Sequence, residues 1–269
     1  MELAEGGACE AMSYIDLKPT LLDWPYDPDQ ISVRKILGSD GEVRIQMRVE
    51  LGVIQMELEG RPDGVTQHGY ESLLEYHRAR LTRHEERNGT TLGYALTPDH
   101  CKELRFEASL YYRRYVAAFV LEEYAGVCRD TVHNLSIFDL CHEHASDAED
   151  RNCLEPFRPY VVMMNARGHA YQALEQNEAP SALAHVNRGI MQVKTCYDDL
   201  GRTEAAETGE ELKMLRLLAA DIQERVPCDS LIGTRRALRT AVEQERFEEA
   251  ARLRDELNRL YEGRKSATA

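Results

Sequence analysis

The sequence lacks the features that mark secreted and membrane proteins. It has no apolar run long enough to span a bilayer. Its start, MELAEGGACEAM, carries acidic residues where a signal peptide carries basic ones. Its seven cysteines are scattered and form no C-x-x-C pair, which is typical of reduced thiols rather than of a disulfide framework. These absences predict a cytoplasmic protein that contacts no membrane.

The short motifs of the commonest enzyme classes are also absent. There is no G-x-x-x-x-G-K-[ST], no G-x-G-x-x-G after a strand, no G-x-S-x-G and no H-E-x-x-H. This removes the simplest ATPases, dehydrogenases, hydrolases and metalloproteases, although enzymes without short motifs are left open. We therefore expect no enzymatic activity, no catalytic residues and no cofactor.

One short run, CHEH, contains residue types that bind metals. Cys141 and His144 are three residues apart and can share a helix face, as zinc ligands do. The run lacks the paired cysteines of structural zinc sites, and histidines are also favoured at the C-terminal end of a helix by its dipole. We expect a helix end with a buried thiol and no bound metal.

The charge balance is strongly acidic. The chain has 33 basic and 47 acidic residues, a net charge of −14, and the excess lies upstream of Asp229. A field of this sign repels nucleic acid but still allows a local basic patch. Arg113 and Arg114 lie among tyrosines and could stack on single strands, but on a helix these side chains diverge, and Tyr111 and Tyr115 suit a core face. Nucleic acid is not an expected partner.

The first part of the chain is predicted to form an extended segment followed by a small sheet. The segment LLDWPYDPDQ contains Trp24 and Tyr26, which we expect to anchor it. From Ile31 onward, apolar residues alternate in ISVRKIL and EVRIQMRVEL, with GSDG between them. The alternation shifts by one residue after Gly52, which predicts a bulge or bend at Leu51–Val53. The pattern indicates a three-stranded antiparallel meander whose apolar face is covered by helices.

The remainder is predicted to be helical, with apolar residues at intervals of three and four. Leu121 and Asn134 recur as Leu174 and Asn187 at one fixed offset, and each segment reads as helix, turn, helix. This indicates stacked hairpins similar to a tetratricopeptide repeat (TPR), which often present a concave groove. The predicted boundaries are an end at Asn88–Gly89, a start at Thr97–Pro98, corners near Tyr124–Gly126 and Asn177–Pro180, and a final helix Glu210–Arg225.

The most informative segment is LIGTRRALRTAVEQERFEEAARLRDELNRL, near the C-terminus. Phe247 lies at the corner between two predicted helices, and small residues allow the helices to approach closely. The second helix has apolar residues at steps of three, four and three, as in a coiled-coil seam: Ala250, Leu253, Leu257 and Leu260. A hairpin this small buries too little surface to be stable alone, so it must pack on the body, a second copy or a partner.

The run FEEAARLRDEL in this segment resembles the UVR motif, a helical hairpin of the B and C subunits of the bacterial UvrABC excision nuclease. It is also similar to segments of some Clp-type chaperone ATPases and of an activator of a bacterial protein arginine kinase. The resemblance implies protein–protein contact or self-association, not catalysis, because the helicase and nuclease elements of those subunits are absent. The partner-binding residues it implies are Leu238, Val242, Phe247, Ala250, Leu253, Arg254, Leu257 and Leu260.

Three upstream segments carry a second resemblance. WPYDPDQISVRK, DTVHNL and RPYVVMMNARG are similar to segments of a class of bacterial proteins that carry a UVR motif. That resemblance implies no activity.

These patterns predict a mainly α, α+β chain that serves as an adaptor through its C-terminal hairpin and TPR-like body. One alternative is an accessory factor of nucleotide excision repair that contacts DNA or repair subunits. A second is an enzyme without familiar motifs, whose pocket would gather Asp130, His133, Asn134 and Arg167, although hydrogen bonds in the core suit these residues better. The predicted division is an extended segment 1–30, a meander 31–60, a helical domain 61–228, the UVR-like hairpin 229–262 and a disordered tail 263–269.

Overall fold

The computed structural model describes residues 16–225, 234, 237–238, 240–242, 244 and 246–267, with backbone alone at 225 and 260–267. A three-stranded antiparallel sheet is followed by helices, so the predicted mainly helical α+β class is confirmed. The strands are β1 (Val33–Leu37), β2 (Val43–Val49) and β3 (Gly52–Glu57). The helices are α1 (Lys18–Leu22), α2 (Leu73–Asn88), α3 (Pro98–Val120), α4 (Tyr124–His144), α5 (Ala148–Asn152), a 3-10 turn (Glu155–Phe157), α6 (Arg158–Glu175), α7 (Ala179–Asp199), α8 (Thr203–Ala206), α9 (Glu210–Arg225) and α10 (Phe247–Ala267).

The sheet has the order β1-β2-β3, as the meander predicts. Val49 pairs with Gly52, so β2 and β3 are joined by a two-residue turn at Glu50 and Leu51. The predicted bulge or bend is therefore a chain reversal, and Leu51 lies exposed at its tip. A reversal of two residues also shifts the alternation of apolar positions by one, which is why the sequence pattern alone does not separate it from a bulge.

The apolar face of the sheet packs on the end of α3. Ile45 and Met56 are buried against Ala117, so the predicted cover by helices is confirmed. On the opposite face, the Arg34 guanidinium lies 4.1 Å from the centre of the Trp24 ring. Arg48 Nε donates to the Trp24 carbonyl oxygen at 2.8 Å. Trp24 thus anchors the N-terminal segment on the sheet, although part of that segment is the short helix α1 rather than extended chain.

The long helices stack in chain order. Helix α3 packs on α4, α4 on α6, α6 on α7 and α7 on α9, which gives the two predicted hairpins. The first corner lies at Leu121–Glu123, just before the predicted Tyr124–Gly126, and Glu122 has a φ of 61° there. Asn177 has a φ of 58° at the second corner, a conformation that asparagine tolerates well. The further likeness to a TPR stays a prediction.

The helix starts follow ordinary capping chemistry. The Thr97 side chain accepts a hydrogen bond from the His100 backbone, and His100 in turn accepts one from the Thr97 backbone. Ser72 accepts from the backbone of Glu75 at the start of α2, and Gly89 ends that helix with a φ of 70°. These caps define where α2 begins and ends and where α3 begins. Both helices carry polar groups that are described below.

The C-terminal helix α10 stands apart from the stack. The Arg246 backbone N–H donates to the Ala241 carbonyl at 2.8 Å, which turns the chain into α10. Ala241 and Ala250 are buried on either side of this turn. Helix α10 packs extensively on none of the other helices and strands given above. It continues to Ala267; the predicted disordered tail 263–269 stays a prediction, and its last two residues lie outside the described chain.

Candidate functional site

A buried ion pair joins α3 to α4. Arg114 donates from Nε and Nη2 to the two carboxylate oxygens of Asp130 at 2.7 and 2.8 Å. Arg114 Nη1 also donates to the Glu57 carbonyl in β3 at 3.0 Å. Both charged side chains are essentially inaccessible to water. The pair therefore holds two helices and a strand together, and neither group is free to meet a substrate.

A second buried carboxylate, Glu107, caps the start of α2. It accepts hydrogen bonds from the backbone N–H groups of Leu73 at 2.8 Å and Leu74 at 3.1 Å, and His133 Nε2 lies 3.1 Å away. Burial raises the pKa of Glu107, but the hydrogen bonds from His133 and the backbone outweigh burial and lower it. Because folding lowers this pKa, the contacts add stability above the ordinary carboxyl pKa, and the gain is lost as the pH falls.

The four residues considered for an enzyme pocket do not converge. Asp130 and His133 are occupied by Arg114 and Glu107, and Asn134 Nδ2 donates to the Ala108 carbonyl at 3.0 Å. Arg167 lies elsewhere, 4.2 Å from the centre of the Phe119 ring. These contacts support the interpretation that the DTVHNL segment forms hydrogen bonds within the helical stack.

The CHEH run is divided between two environments. Cys141 is buried beside Cys101, and burial raises the pKa of both thiols, that of Cys101 to about 11. His144 instead packs edge-on against Tyr94, with ring centres 5.4 Å apart. Within the described part of the chain, no three histidine, cysteine or acidic side chains are grouped as metal ligands.

The tyrosines around Arg113 and Arg114 are mostly in the core. Tyr111 and Tyr115 are buried, and Tyr111 stacks on His133 with ring centres 3.6 Å apart. Tyr112 alone of the three is exposed. The arrangement that would stack single-stranded nucleic acid does not form here, as the helical phase of these residues predicts.

An apolar groove of about 710 Å³ runs between α3, α4, the 3-10 turn and α6. The Tyr115 hydroxyl and the Asn134 side chain are buried in its lining and lie next to each other. Its charged lining residues already have partners, since Arg105 pairs with Asp150 and Glu211 accepts from the Tyr197 hydroxyl at 2.8 Å. The other lining residues are mainly aromatic and aliphatic: Ala108, Tyr112, Phe138, Leu154, Pro156, Phe157, Tyr160 and Val161.

A basic surface on α2 is the feature that the sequence interpretation missed. Arg80, Arg83, His84 and Arg87, here called the basic stripe, follow one face of α2 and line a cavity of about 440 Å³. Their spacing of i, i+3, i+4 and i+7 is the helical period. The same spacing is present in the sequence, where the basic residues recur at the helical period on a face that carries no apolar residue between Arg80 and Arg87.

The structure places the residues predicted to bind a partner at different depths in the hairpin. Phe247 and Val242 are exposed, with 68% and 52% of their surface accessible. Arg254 is exposed and pairs with its neighbour Asp255 at 2.8 Å. Leu238, Leu253 and Leu257 are half-buried, Ala250 is buried, and the side chain of Leu260 lies outside the description.

The chain is thus a mainly helical protein with a three-stranded sheet near its N-terminal end and the helix α10 near its C-terminal end. Residues 229–263 match the family model of the UVR motif, described as the UvrB/uvrC motif. The chain therefore contains a UVR motif, as the residues of that segment predict. No curated protein and no solved structure gives a significant match. No helix in the described ranges has the length and apolar character needed to cross a lipid bilayer.

Proposed function

We propose that this chain is a non-enzymatic adaptor that contacts another protein through its UVR hairpin. The observation that carries the proposal is the exposure of two large apolar side chains, Val242 and Phe247, at the corner of a matched UVR motif. Exposed aromatic residues at a helical corner are typical anchors of protein interfaces. The charged residues of the hairpin, such as Arg254, then form a polar rim around this anchor.

The limited packing of α10 supports the same proposal. Helix α10 packs extensively on none of the other described elements, so its outer face does not serve the core of the body. Leu253 and Leu257 are only half-buried, which leaves apolar surface on the helix for a partner to cover. A second copy of the chain satisfies this requirement as well as a different protein does.

The helical body offers a second contact surface to the adaptor. Its apolar groove fits an aromatic or aliphatic side chain of a partner segment. The polar groups of the DTVHNL segment are engaged in contacts between helices, which supports an adaptor over an enzyme.

The test compares two exposed phenylalanines that both lie on helices. Phe247→Asp places a charge on the proposed contact surface, whereas Phe106→Asp does so on α3, where Phe106 is 56% exposed. Wild type and both variants are used for affinity capture from native lysate, and their self-association is measured by sedimentation equilibrium. We expect Phe247→Asp to lower partner recovery or dimer affinity by about tenfold or more, with Phe106→Asp unchanged.

Equal behaviour of the two variants would overturn the proposal, because both are exposed and only one lies in the motif. A partner kept by Phe247→Asp but lost when the groove is filled by Ser109→Trp would be assigned to the groove.

The match to a motif of the excision nuclease favours one particular class of partner. If the proteins lost with Phe247→Asp are subunits of that nuclease, the chain is an accessory factor of nucleotide excision repair. If they are unrelated to repair, that role is excluded, and the adaptor proposal stands on the identified partner.

A further inference from the structure

The basic stripe on α2 has no acidic partners among the described residues. No described carboxylate lies within 4.0 Å of Arg80, Arg83 or Arg87. Some arginines elsewhere in the body are paired with carboxylates, as Arg105 is with Asp150 and Arg158 with Asp139, whereas others such as Arg34 and Arg167 pack on aromatic rings. In a chain of net charge −14, three arginines on one helix face without a carboxylate partner form a local basic surface that suits an anionic ligand.

The acidic residues of α2 lie on other faces of the helix. At 100° per residue, Glu85 and Glu86 lie roughly 100° or more around the helix from the centre of the stripe. The surface between Arg80 and Arg87 therefore carries charge of one sign over about two turns. An anion bound along it meets donors and no carboxylate of the same helix.

The stripe is held in place by uncharged groups. Arg83 donates from Nε to the Ala79 carbonyl at 3.0 Å and from Nη2 to the Tyr70 hydroxyl at 3.1 Å. His84 Nε2 donates to the Leu92 carbonyl oxygen at 3.0 Å, because a carbonyl only accepts. These contacts orient the side chains without neutralising them, and so reduce the entropy lost on binding.

The cavity beside the stripe is also lined by Asn88 and Tyr94 and has a volume of about 440 Å³. This is within the usual range for small-molecule sites. The amide of Asn88 and the ring of Tyr94 add a polar group and an aromatic wall to the guanidinium groups. The Tyr94 ring is itself fixed, because its hydroxyl donates to the His77 carbonyl at 3.2 Å.

The chemistry of these groups selects a phosphoryl group. Guanidinium forks match the oxygens of a phosphate in bidentate geometry, and several arginines around one cavity suit a dianion better than a single carboxylate. A long polyanion would extend beyond the cavity, where the net negative charge of the chain opposes its binding. The binding of a compact anion depends mainly on charges within about one Debye length, roughly 10 Å, and there the arginines dominate.

We propose that the cavity formed by Arg80, Arg83, His84, Arg87, Asn88 and Tyr94 binds a small molecule that carries a phosphoryl group. This site is separate from the UVR hairpin and does not depend on the function proposed above. It adds a ligand-binding site to an interaction protein.

The test is isothermal titration calorimetry of the full chain at low ionic strength. The probes are adenosine monophosphate, pyrophosphate and inorganic phosphate, with citrate as a multivalent anion without a phosphoryl group. We expect at least one phosphoryl probe to bind and citrate to bind much more weakly. The double variant Arg83→Gln/Arg87→Gln removes two charged donors and is expected to weaken binding by about tenfold or more.

The matched control is Arg78→Gln, on the same helix but outside the cavity lining, and it is expected to bind like wild type. Because Arg78, Arg83 and Arg87 are all exposed, the variants are expected to fold, which circular dichroism checks. Equal loss in Arg78→Gln, equal binding of citrate, or no binding of any phosphoryl probe at millimolar concentration would overturn the proposal. So would binding of a single-stranded oligonucleotide without binding of the small probes.

Discussion

At the scale of single residues, Arg114 and Asp130 form an ion pair in which both side chains are buried. Removing one member of such a pair leaves the other charge buried and uncompensated, which typically costs about 3–5 kcal/mol. We therefore expect Asp130→Ala to lower the free energy of unfolding by about that amount. Urea unfolding followed by circular dichroism measures the loss.

A second aspartate on α4 provides the control for this prediction. Asp139 also pairs with an arginine, Arg158, at 2.7 Å, but its side chain is 58% exposed. Exposed pairs contribute at most about 1 kcal/mol, so Asp139→Ala is expected to change little. Equal losses in the two variants would mean that burial does not set the strength of the Asp130 contact, and the structural role assigned to Asp130 would be wrong.

Residue identity alone predicts part of this network. Polar residues spaced along a helix with apolar neighbours indicate contacts inside the stack, and Asp130, His133 and Asn134 make such contacts. Their partners could not be predicted, because Arg114 and Glu107 come from a different helix and the pairing depends on how α3 and α4 are aligned. The cap that Glu107 supplies to α2 could not be predicted either, because it joins residues that are far apart in the chain.

At the scale of elements, the packing of α6 against α7 depends on Gly189. A Cβ atom at this position would overlap that of Ala166, so the two backbones are too close for any side chain. We expect Gly189→Ala to lower the free energy of unfolding by about 1–3 kcal/mol, as overpacked cores do.

Another helical glycine tests whether this effect comes from packing. A Cβ atom at Gly126 in α4 would lie 3.7 Å from the Cβ of Ala118, an ordinary contact. Gly126→Ala is expected to raise the free energy of unfolding by up to about 1 kcal/mol, through helix propensity alone. If thermal or urea unfolding shows both variants to be stabilised, α6 and α7 do not approach as closely as described.

The helices and strands could largely be predicted from the sequence, whereas the residues that form the turns between them could not. Alternation and helical period identify β1 to β3 and the long helices, because those patterns span many residues. The joints depend on one or two residues, such as Glu50 and Leu51 in the β2–β3 turn or Glu122 at the α3–α4 corner. Glu122 adopts a left-handed conformation that its residue type does not favour, so no local signal indicates it.

At the scale of the whole molecule, the UVR hairpin is expected to be dispensable for folding. Because α10 packs extensively on no other described element, a chain ending at Arg225 should keep its core. We expect its melting midpoint, measured by circular dichroism, to lie within about 2 °C of that of the full chain, since a loss of 1 kcal/mol shifts the midpoint by a few degrees. A much lower midpoint would show that the hairpin is part of the core.

The whole-molecule properties were the least informative about sites. A net charge of −14 describes the average surface and conceals the basic stripe, because three arginines on one face are outweighed by acidic residues elsewhere. The UVR motif indicates where contact is made but not with what, because many different apolar partners can cover an exposed corner such as Phe247.

The position of Trp24 has a practical consequence. It is the only tryptophan in the chain, and its ring rests on Arg34 of β1, on the face of the sheet that α3 does not cover. Intrinsic tryptophan emission therefore reports on the release of the N-terminal segment from the sheet. Circular dichroism reports mainly on the helices. Any solution condition that separates the two signals would show the segment lifting from the sheet while the helical stack stays folded.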